Sequence, residues 1–128
     1  MQQKKIEWLI ILTDKYPQSR KFYKEILEFK IIREMPNEEF TQFKLRNCYF
    51  AIYGRKGLEK IVDKKYLRKP GSTIFTLSET DNIDKQYEEL KDKGVNFISK
   101  PATQPWGQRT AYFTDPDGYI WEIQQWMS

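Results

Sequence analysis

The apolar residues of this 128-residue chain recur with two alternating periods, which predict its first five elements. Residues 6–14 form a nearly continuous apolar run, which is typical of a buried strand. In residues 16–29 the apolar side chains recur at helical spacing, and Pro17 suits an early helical position. Residues 30–36 and 39–54 have the composition of three further strands, the last two joined by a turn near Arg46-Asn47.

The same pattern then starts again in the second half of the chain. The predicted elements are a strand at 72–81, a helix at 82–94, a strand at 95–101 and a closing hairpin from two strands at 108–115 and 119–125. Asn82 is a favourable N-cap for the helix, and Gly94 is a favourable residue to end it.

The element order is therefore β-α-β-β-β in each half. Tyr23 and Ile26 of the first helix match Tyr87 and Leu90 of the second, a shift of 64 residues, which is half the chain. This repeat indicates an α+β fold made of two modules, at about residues 5–54 and 72–126, with a connector at 55–71. We expect the two curved sheets to lie side by side, with the helices outside and a cleft between.

Composition restricts the chemistry that such a cleft can perform. The chain has no histidine, which excludes Ser-His-Asp catalysis, Cys-His catalysis and every histidine-based metal site. Its one cysteine, Cys48, cannot form an intrachain disulfide, and we interpret it as a small buried apolar residue.

Charge and segment composition suggest where the chain works. The net charge of +4 comes largely from the connector, which we interpret as a solvated loop or short helix because no nucleic-acid-binding motif accompanies it. The sequence shows neither a signal peptide nor a membrane-spanning segment, so we expect a cytoplasmic protein with no nucleic-acid or membrane partner.

The closing hairpin contains the most informative residue, Glu122, a carboxylate within an apolar and aromatic strand. Asp115-Pro116-Asp117-Gly118 has the composition of a tight turn. If these four residues form the whole loop, Ala111 lies opposite Glu122 and Arg109 lies opposite Gln124.

That register sorts the hairpin into two faces. Phe113, Ala111, Arg109, Ile120, Glu122 and Gln124 then face the cleft, whereas Tyr112, Tyr119, Trp121 and Ile123 face the helix as core residues. Arg109 lies diagonal to Glu122, which predicts an ion pair between them.

Two segments of the chain, FYKEILEF at 22–29 and FTDPDGYIWEI at 113–123, occur within this repeated element order. With them, the chain resembles the vicinal oxygen chelate superfamily, which includes glyoxalases, bleomycin-resistance proteins and extradiol dioxygenases. The resemblance covers nearly the whole chain and implies one cup-shaped mixed sheet with helices outside. It also implies a homodimer, since members of this superfamily commonly pair their modules within or between chains.

In metal-dependent members of that superfamily, the glutamate at the position of Glu122 is a metal ligand that points into the cup. The resemblance places the other ligand positions at Glu7 (or Trp8, in the alternative register), at Ala51, and at Phe75 (or Ile74, if a bulge is present). Alanine, phenylalanine and isoleucine cannot bind a metal. We therefore expect no cofactor and no transition metal, and at most a weakly held divalent ion such as Mg²⁺ or Ca²⁺ at Glu122.

The remaining candidates form a binding site rather than a metal centre. Trp106, in a rigid Pro-Trp-Gly turn, caps the predicted cup, and Phe75, Tyr49, Tyr53 and Gln124 line it with Arg109 and Glu122. The sequence thus favours metal-independent binding of a small organic molecule, neutral, aromatic or anionic, such as a drug or metabolite. The alternative is a lyase, isomerase or dioxygenase of the same superfamily that uses Glu122 or Glu7 as a base or weak metal ligand.

Overall fold

The computed structural model describes residues 4–127, which divide into two compact units with their boundary between Arg68 and Lys69. Each unit contains one main helix and one four-stranded mixed sheet, and each follows the β-α-β-β-β order predicted from the sequence. The α+β class is confirmed. No helix within residues 4–127 has the length and apolar composition that crossing a membrane requires.

The first unit orders its strands β1-β4-β3-β2 across the sheet. In chain order these are β1 (Trp8–Thr13), β2 (Lys30–Met35), β3 (Phe40–Lys44) and β4 (Tyr49–Gly54). β1 pairs with β4 in parallel, and the other pairs are antiparallel. The turn between β3 and β4 contains Arg46 and Asn47, where the sequence predicted it.

The helix of the first unit changes its winding part-way along. It begins as α1 (Tyr16–Lys21), with Pro17 in its first turn, and continues as a wider π-helical turn over Phe22–Ile26. Tyr23 within that turn is fully buried and packs against Phe43 and Phe50 of the sheet. Burial of this aromatic cluster fixes the helix on one face of the first sheet.

The connector leaves β4 as a short helix, α2 (Arg55–Leu58), and later forms a 3₁₀ turn at Lys64–Tyr66. The Arg55 side chain, at the start of the connector, contacts both the loop after β1 and the far end of the connector. Its Nε donates to the Asp14 carboxylate at 3.0 Å, and its Nη1 donates to the Leu67 carbonyl oxygen at 2.7 Å. The connector thus contains a short helix, as one of the two predicted forms, and its other residues lie exposed or half-buried on the surface.

The second unit orders its strands β5-β8-β7-β6. These are β5 (Ile74–Thr76), β6 (Asn96–Thr103), β7 (Gln108–Thr114) and β8 (Ile120–Trp126), with β5 parallel to β8. β5 is much shorter than the predicted strand at 72–81.

The helix α3 (Ile83–Asp92) covers one face of this second sheet. The Asn82 side chain accepts a hydrogen bond from the Lys85 amide and so caps it, as predicted. Gly94 follows the helix with φ of 91°, a conformation that favours glycine. Ile83, Tyr87 and Leu90 are buried beneath the helix, against a sheet face that includes Phe97, Phe113, Trp121 and Ile123.

Candidate functional site

Glu122 lies in the middle of β8, but the hairpin register around it differs from the prediction. Tyr112, not Ala111, lies opposite Glu122, and Arg109 lies opposite Gln125. Because side chains alternate between faces, a register shift of one residue exchanges the faces of every β7 side chain. The predicted cleft positions of Phe113, Ala111 and Arg109 are wrong, as is the predicted core position of Tyr112.

The register shift arises in the loop between the two strands. Five residues, Asp115–Tyr119, separate the paired residues Thr114 and Ile120. The Asp115 Oδ1 atom accepts hydrogen bonds from the amides of Asp117 and Tyr119, both at 2.9 Å, and so includes Tyr119 in the turn. The Asp-Pro-Asp-Gly turn is confirmed, but one further residue belongs to the loop.

We call the face of the second sheet that points away from α3 the Glu122 face. Strand alternation places on it these residues of β5, β7 and β8: Ile74, Thr76, Gln108, Thr110, Tyr112, Thr114, Ile120, Glu122, Gln124 and Trp126. The opposite face contains the buried side chains of Ala111, Phe113, Trp121 and Ile123. The placement of Gln124 and Ile120 beside Glu122 agrees with the prediction.

Two hydroxyl groups bind the Glu122 carboxylate, one at each oxygen. Tyr112 Oη donates to Oε2 at 2.6 Å from β7, and Thr76 Oγ1 donates to Oε1 at 2.8 Å from β5. Both donors come from the residues directly paired with Glu122 in the sheet. The carboxylate is thus held in one orientation by neutral groups, and each oxygen retains capacity for a further hydrogen bond.

The carboxylate in turn fixes the protonation state of its tyrosine partner. The hydrogen bond to Glu122 raises the pKa of Tyr112, and burial adds to the rise, whereas a hydrogen bond with Thr110 partly lowers it. The phenol therefore stays protonated well above neutral pH. At this position Tyr112 is a hydrogen-bond donor and not a base.

The predicted ion pair between Arg109 and Glu122 is wrong. Arg109 lies on the α3 side of the sheet, where its Nη2 donates to Asp84 Oδ1 of α3 at 2.9 Å and its Nη1 donates to Thr103 Oγ1 at 3.2 Å. No other Lys or Arg among the described residues pairs with Glu122. The negative charge on Glu122 has no cationic partner within residues 4–127.

Amide side chains extend the Glu122 face along the hairpin. Gln108 Nε2 donates to Gln124 Oε1 across the strand pair, and Gln104 Nε2 donates to the buried Thr110 hydroxyl at 3.1 Å. Trp106 Nε1 donates to Gln108 Oε1 at 3.1 Å. A row of amide and hydroxyl groups therefore links the Trp106 turn to the region of Glu122.

Trp106 and Phe75 occupy different environments from each other. Trp106 is 60% exposed in the turn closed by the Gly107 amide and the Gln104 carbonyl oxygen, and Gly107 has φ of 96° there. Phe75 packs against buried Trp121, with ring centroids 5.1 Å apart, because the β5–β8 register pairs these two residues. The prediction of Phe75 as a wall of the Glu122 site is wrong, since Ile74 and Thr76 hold that face.

In the first sheet, the predicted aromatic wall is present on the face that points away from α1. Tyr49, Ala51 and Tyr53 share this face, as strand alternation predicts, and Trp8 lies on it with its ring 5.4 Å from that of Tyr49. Of the two first-strand candidates, Trp8 lies on this face within β1, whereas Glu7 precedes the strand. Glu7 precedes β1, and its carboxylate lies 3.5 Å from Lys5 Nζ, beside a shallow cavity of about 190 Å³.

The residues present do not fit a transition-metal site. Trp8, Ala51 and Ile74 supply no ligand at the superfamily's metal positions, and Phe75 faces the core. Nowhere in residues 4–127 do three His, Cys, Asp or Glu side chains come together in the arrangement that a metal ion needs. Within residues 4–127, the side-chain hydrogen-bond partners of Glu122 are the hydroxyl groups of Tyr112 and Thr76.

The two units differ strongly in charge. Residues 1–68 contain 16 basic and 9 acidic residues, a net charge of +7, whereas residues 69–128 contain 6 basic and 9 acidic residues, a net charge of −3. The basic character of the chain thus resides in the first unit and its connector. Glu122 belongs to an acidic unit.

A model of the Glyoxalase/Bleomycin resistance protein/Dioxygenase superfamily matches residues 5–123 of the chain. The chain belongs to this superfamily. Among its relatives, the chain is 30% identical over 117 residues to the uncharacterised protein YraH of Bacillus subtilis (strain 168), a match that covers 88% of this chain and 91% of YraH. It is 29% identical over 103 residues to the metallothiol transferase FosB of Staphylococcus saprophyticus, covering 80% of this chain and 64% of FosB.

Solved structures of superfamily members have the same fold. A glyoxalase/bleomycin resistance protein/dioxygenase from Nocardioides aligns with a TM-score of 0.81 at 27% identity, over 100% of this chain and 87% of that one. A glyoxalase-related enzyme from Fulvimarina pelagi aligns with a TM-score of 0.80 at 20% identity, over 96% and 88% of the two chains, and this likeness shows the fold alone. The resemblance stated from the sequence is confirmed.

Sequence reasoning missed Tyr112 and Thr76, the two donors to Glu122. One signal for Tyr112 was present: Thr110, Tyr112 and Thr114 form an alternating polar set in β7, whereas Ala111 and Phe113 form the apolar set. The more apolar set faces the helix in a sheet that is covered on one side. Thr76 had no comparable signal, because a strand as short as Ile74–Thr76 shows no periodicity.

Proposed function

We propose that this protein binds a small organic molecule, a drug or metabolite, on the Glu122 face without the help of a metal. The observation that carries the proposal is the state of the Glu122 carboxylate, whose two oxygens accept hydrogen bonds from Tyr112 and Thr76. These neutral donors orient the carboxylate and leave its charge available to a ligand. A binding site of this kind needs a few fixed polar groups beside apolar surface.

The surroundings of Glu122 supply both kinds of surface. Gln108 and Gln124, both half-buried, offer amide groups within the same face. Ile74 is 55% exposed next to Thr76, and Trp106 is exposed at the end of the hairpin. These groups support a ligand that has one polar group to pair with Glu122 and an apolar body.

The second candidate is an enzyme of the superfamily, a lyase, isomerase or dioxygenase, that uses Glu122 as a base. The 2.6 Å hydrogen bond from Tyr112 favours it, because a protonated phenol beside a carboxylate can supply a proton while the carboxylate takes one. Glu7 is less suited to this role, since its exposed carboxylate pairs with Lys5. An enzyme must convert a substrate into a product, whereas the binding protein proposed first needs only to bind its ligand.

A thermal-shift screen of a small-molecule library tests the proposal on three proteins: wild type, Glu122→Gln and Glu88→Gln. Glu88 is exposed on α3, so its substitution makes the same change in charge away from the Glu122 face. We expect hits that stabilise wild type and Glu88→Gln alike and stabilise Glu122→Gln less. Hits that stabilise all three proteins equally would place the ligand elsewhere, and chemical conversion of a hit would favour the enzyme.

A further inference from the structure

From this proposed function we infer one step more: the ligand presents a protonated amine, or a similar cationic N–H group, to Glu122. Removing a carboxylate from water is costly unless its charge is compensated, and Glu122 is half-buried, so a ligand that covers it gains by supplying a cation. Glu122 has hydrogen bonds from two neutral hydroxyls and no Lys or Arg partner among residues 4–127.

The arginine that the sequence offers for this role is engaged elsewhere. Arg109 makes a two-pronged contact with Asp84, through Nε at 3.2 Å and Nη2 at 2.9 Å, on the α3 side of the sheet. Moving it to Glu122 would require a change of strand register. A ligand cation therefore meets no competing side chain from β5, β7 or β8, because the Glu122 face contains no Lys or Arg on these strands.

Hydrogen-bond geometry points to the same ligand chemistry. Tyr112 and Thr76 each take up one acceptor site on a different carboxylate oxygen. Each oxygen keeps a second acceptor site, so the carboxylate can still accept N–H donors. An anionic group would be repelled, and a neutral hydroxyl would form a weaker bond than an ammonium group because only the latter is charge-assisted.

Charge at longer range supports the inference as well. The whole chain is basic, which on its own favours a neutral or anionic ligand. However, the unit that contains Glu122 has a net charge of −3, and the basic excess belongs to residues 1–68. Charges in salt solution act mainly within about 8 Å. The binding of a ligand in contact with Glu122 therefore depends on nearby charges more than on the net charge of the whole chain.

Three matched probes test this inference on the full chain: benzylamine, benzyl alcohol and benzoate. They share one ring and differ in whether the polar group is cationic, neutral or anionic at neutral pH. Amide chemical shifts in ¹⁵N NMR spectra report both affinity and location. We expect benzylamine to shift the amides of Thr76, Tyr112 and Glu122, with benzyl alcohol at least about tenfold weaker and benzoate weaker still, a difference of about 1.4 kcal/mol or more.

Two variants assign the effect to the carboxylate. Glu122→Gln should weaken benzylamine binding about tenfold, whereas Glu88→Gln should leave it unchanged. If Glu122→Gln does not fold, Thr76→Lys serves instead, because it places a cation beside Glu122 from an exposed position and should abolish amine binding. Raising the salt concentration from about 0.05 M to about 0.5 M should weaken amine binding, because the distance over which charges attract becomes shorter.

The failure modes are distinct. Equal binding of benzoate, an equal loss in Glu88→Gln, or no benzylamine binding would overturn the inference. If library hits shift amides of the Glu122 face and bind Glu122→Gln more weakly but show no preference for amines, the proposed binding function stands and only the amine preference falls. If no library compound shifts any amide of the Glu122 face, the proposed function falls as well.

Discussion

Removing the Tyr112 hydroxyl is the sharpest test of how Glu122 is held. Tyr112→Phe keeps the ring in place and deletes only the donor that lies 2.6 Å from Glu122 Oε2. A hydrogen bond to a charged group contributes about 1.5–3 kcal/mol, and water that reaches the half-buried carboxylate offsets part of the loss. We therefore expect the free energy of unfolding to fall by about 1.5 kcal/mol, measured by urea denaturation at pH 7.

Tyr87→Phe is the matched control. Tyr87 lies in the same unit, and its hydroxyl makes no hydrogen bond with any residue in 4–127, so the substitution should cost less than about 0.5 kcal/mol. In a Glu122→Gln background the cost of Tyr112→Phe should fall by about half, because the bond is then no longer charge-assisted. Equal costs for Tyr112→Phe and Tyr87→Phe would refute the assignment of the hydrogen bond.

The loss in free energy of unfolding caused by Tyr112→Phe should depend on pH. Because the hydrogen bond to Glu122 raises the pKa of Tyr112, the folded state favours the neutral phenol. This stabilisation is complete below the unfolded tyrosine pKa of about 10 and is lost as the pH rises through the higher folded value. The cost of Tyr112→Phe should therefore be constant from about pH 7 to about pH 9 and should shrink above that range.

Two further predictions concern the metal and the first unit. Elemental analysis of the purified protein should find no stoichiometric Ni, Zn, Fe or Mn, and about one such ion per chain that is lost in Glu122→Ala would contradict the metal-free assignment. Glu34→Gln should lower the free energy of unfolding by about 1 kcal/mol at pH 7, because a hydrogen bond from Arg20 lowers the pKa of Glu34. That cost should be present above about pH 4.3 and vanish as the pH falls through the lower folded value, and a cost that persists in acid would rule out the ion pair as its cause.

Element order and helix caps were predictable because they depend on local sequence. The spacing of apolar residues gave both modules, and the Asn82 cap and the Gly94 end of α3 lie where the sequence placed them. The change of winding at Phe22–Ile26 was not predictable, because an α-helix and a π-helix bury nearly the same apolar stripe over one turn.

The composition of the Glu122 face depended on a single loop residue. Thr114 and Tyr119 are both good strand residues, so neither marks where pairing stops. In the structure Asp115 lies opposite Tyr119: the Asp115 amide donates to the Tyr119 carbonyl oxygen, and the Asp115 carboxylate accepts from the Tyr119 amide. This register places Tyr112 next to Glu122 and Arg109 on the opposite face, and strand patterns alone did not contain that information.

In each sheet the first strand of the unit pairs in parallel with the last, and this pairing has a consequence for synthesis on the ribosome. β1 stays without its partner until β4 has emerged, and β5 stays without its partner until β8, which runs to Trp126, has been made. Pairing between two strands that are far apart in the sequence is slow compared with the formation of a hairpin. The first sheet can therefore close once Gly54 has emerged, whereas the second sheet, with the Glu122 face, can close only after Trp126 has emerged.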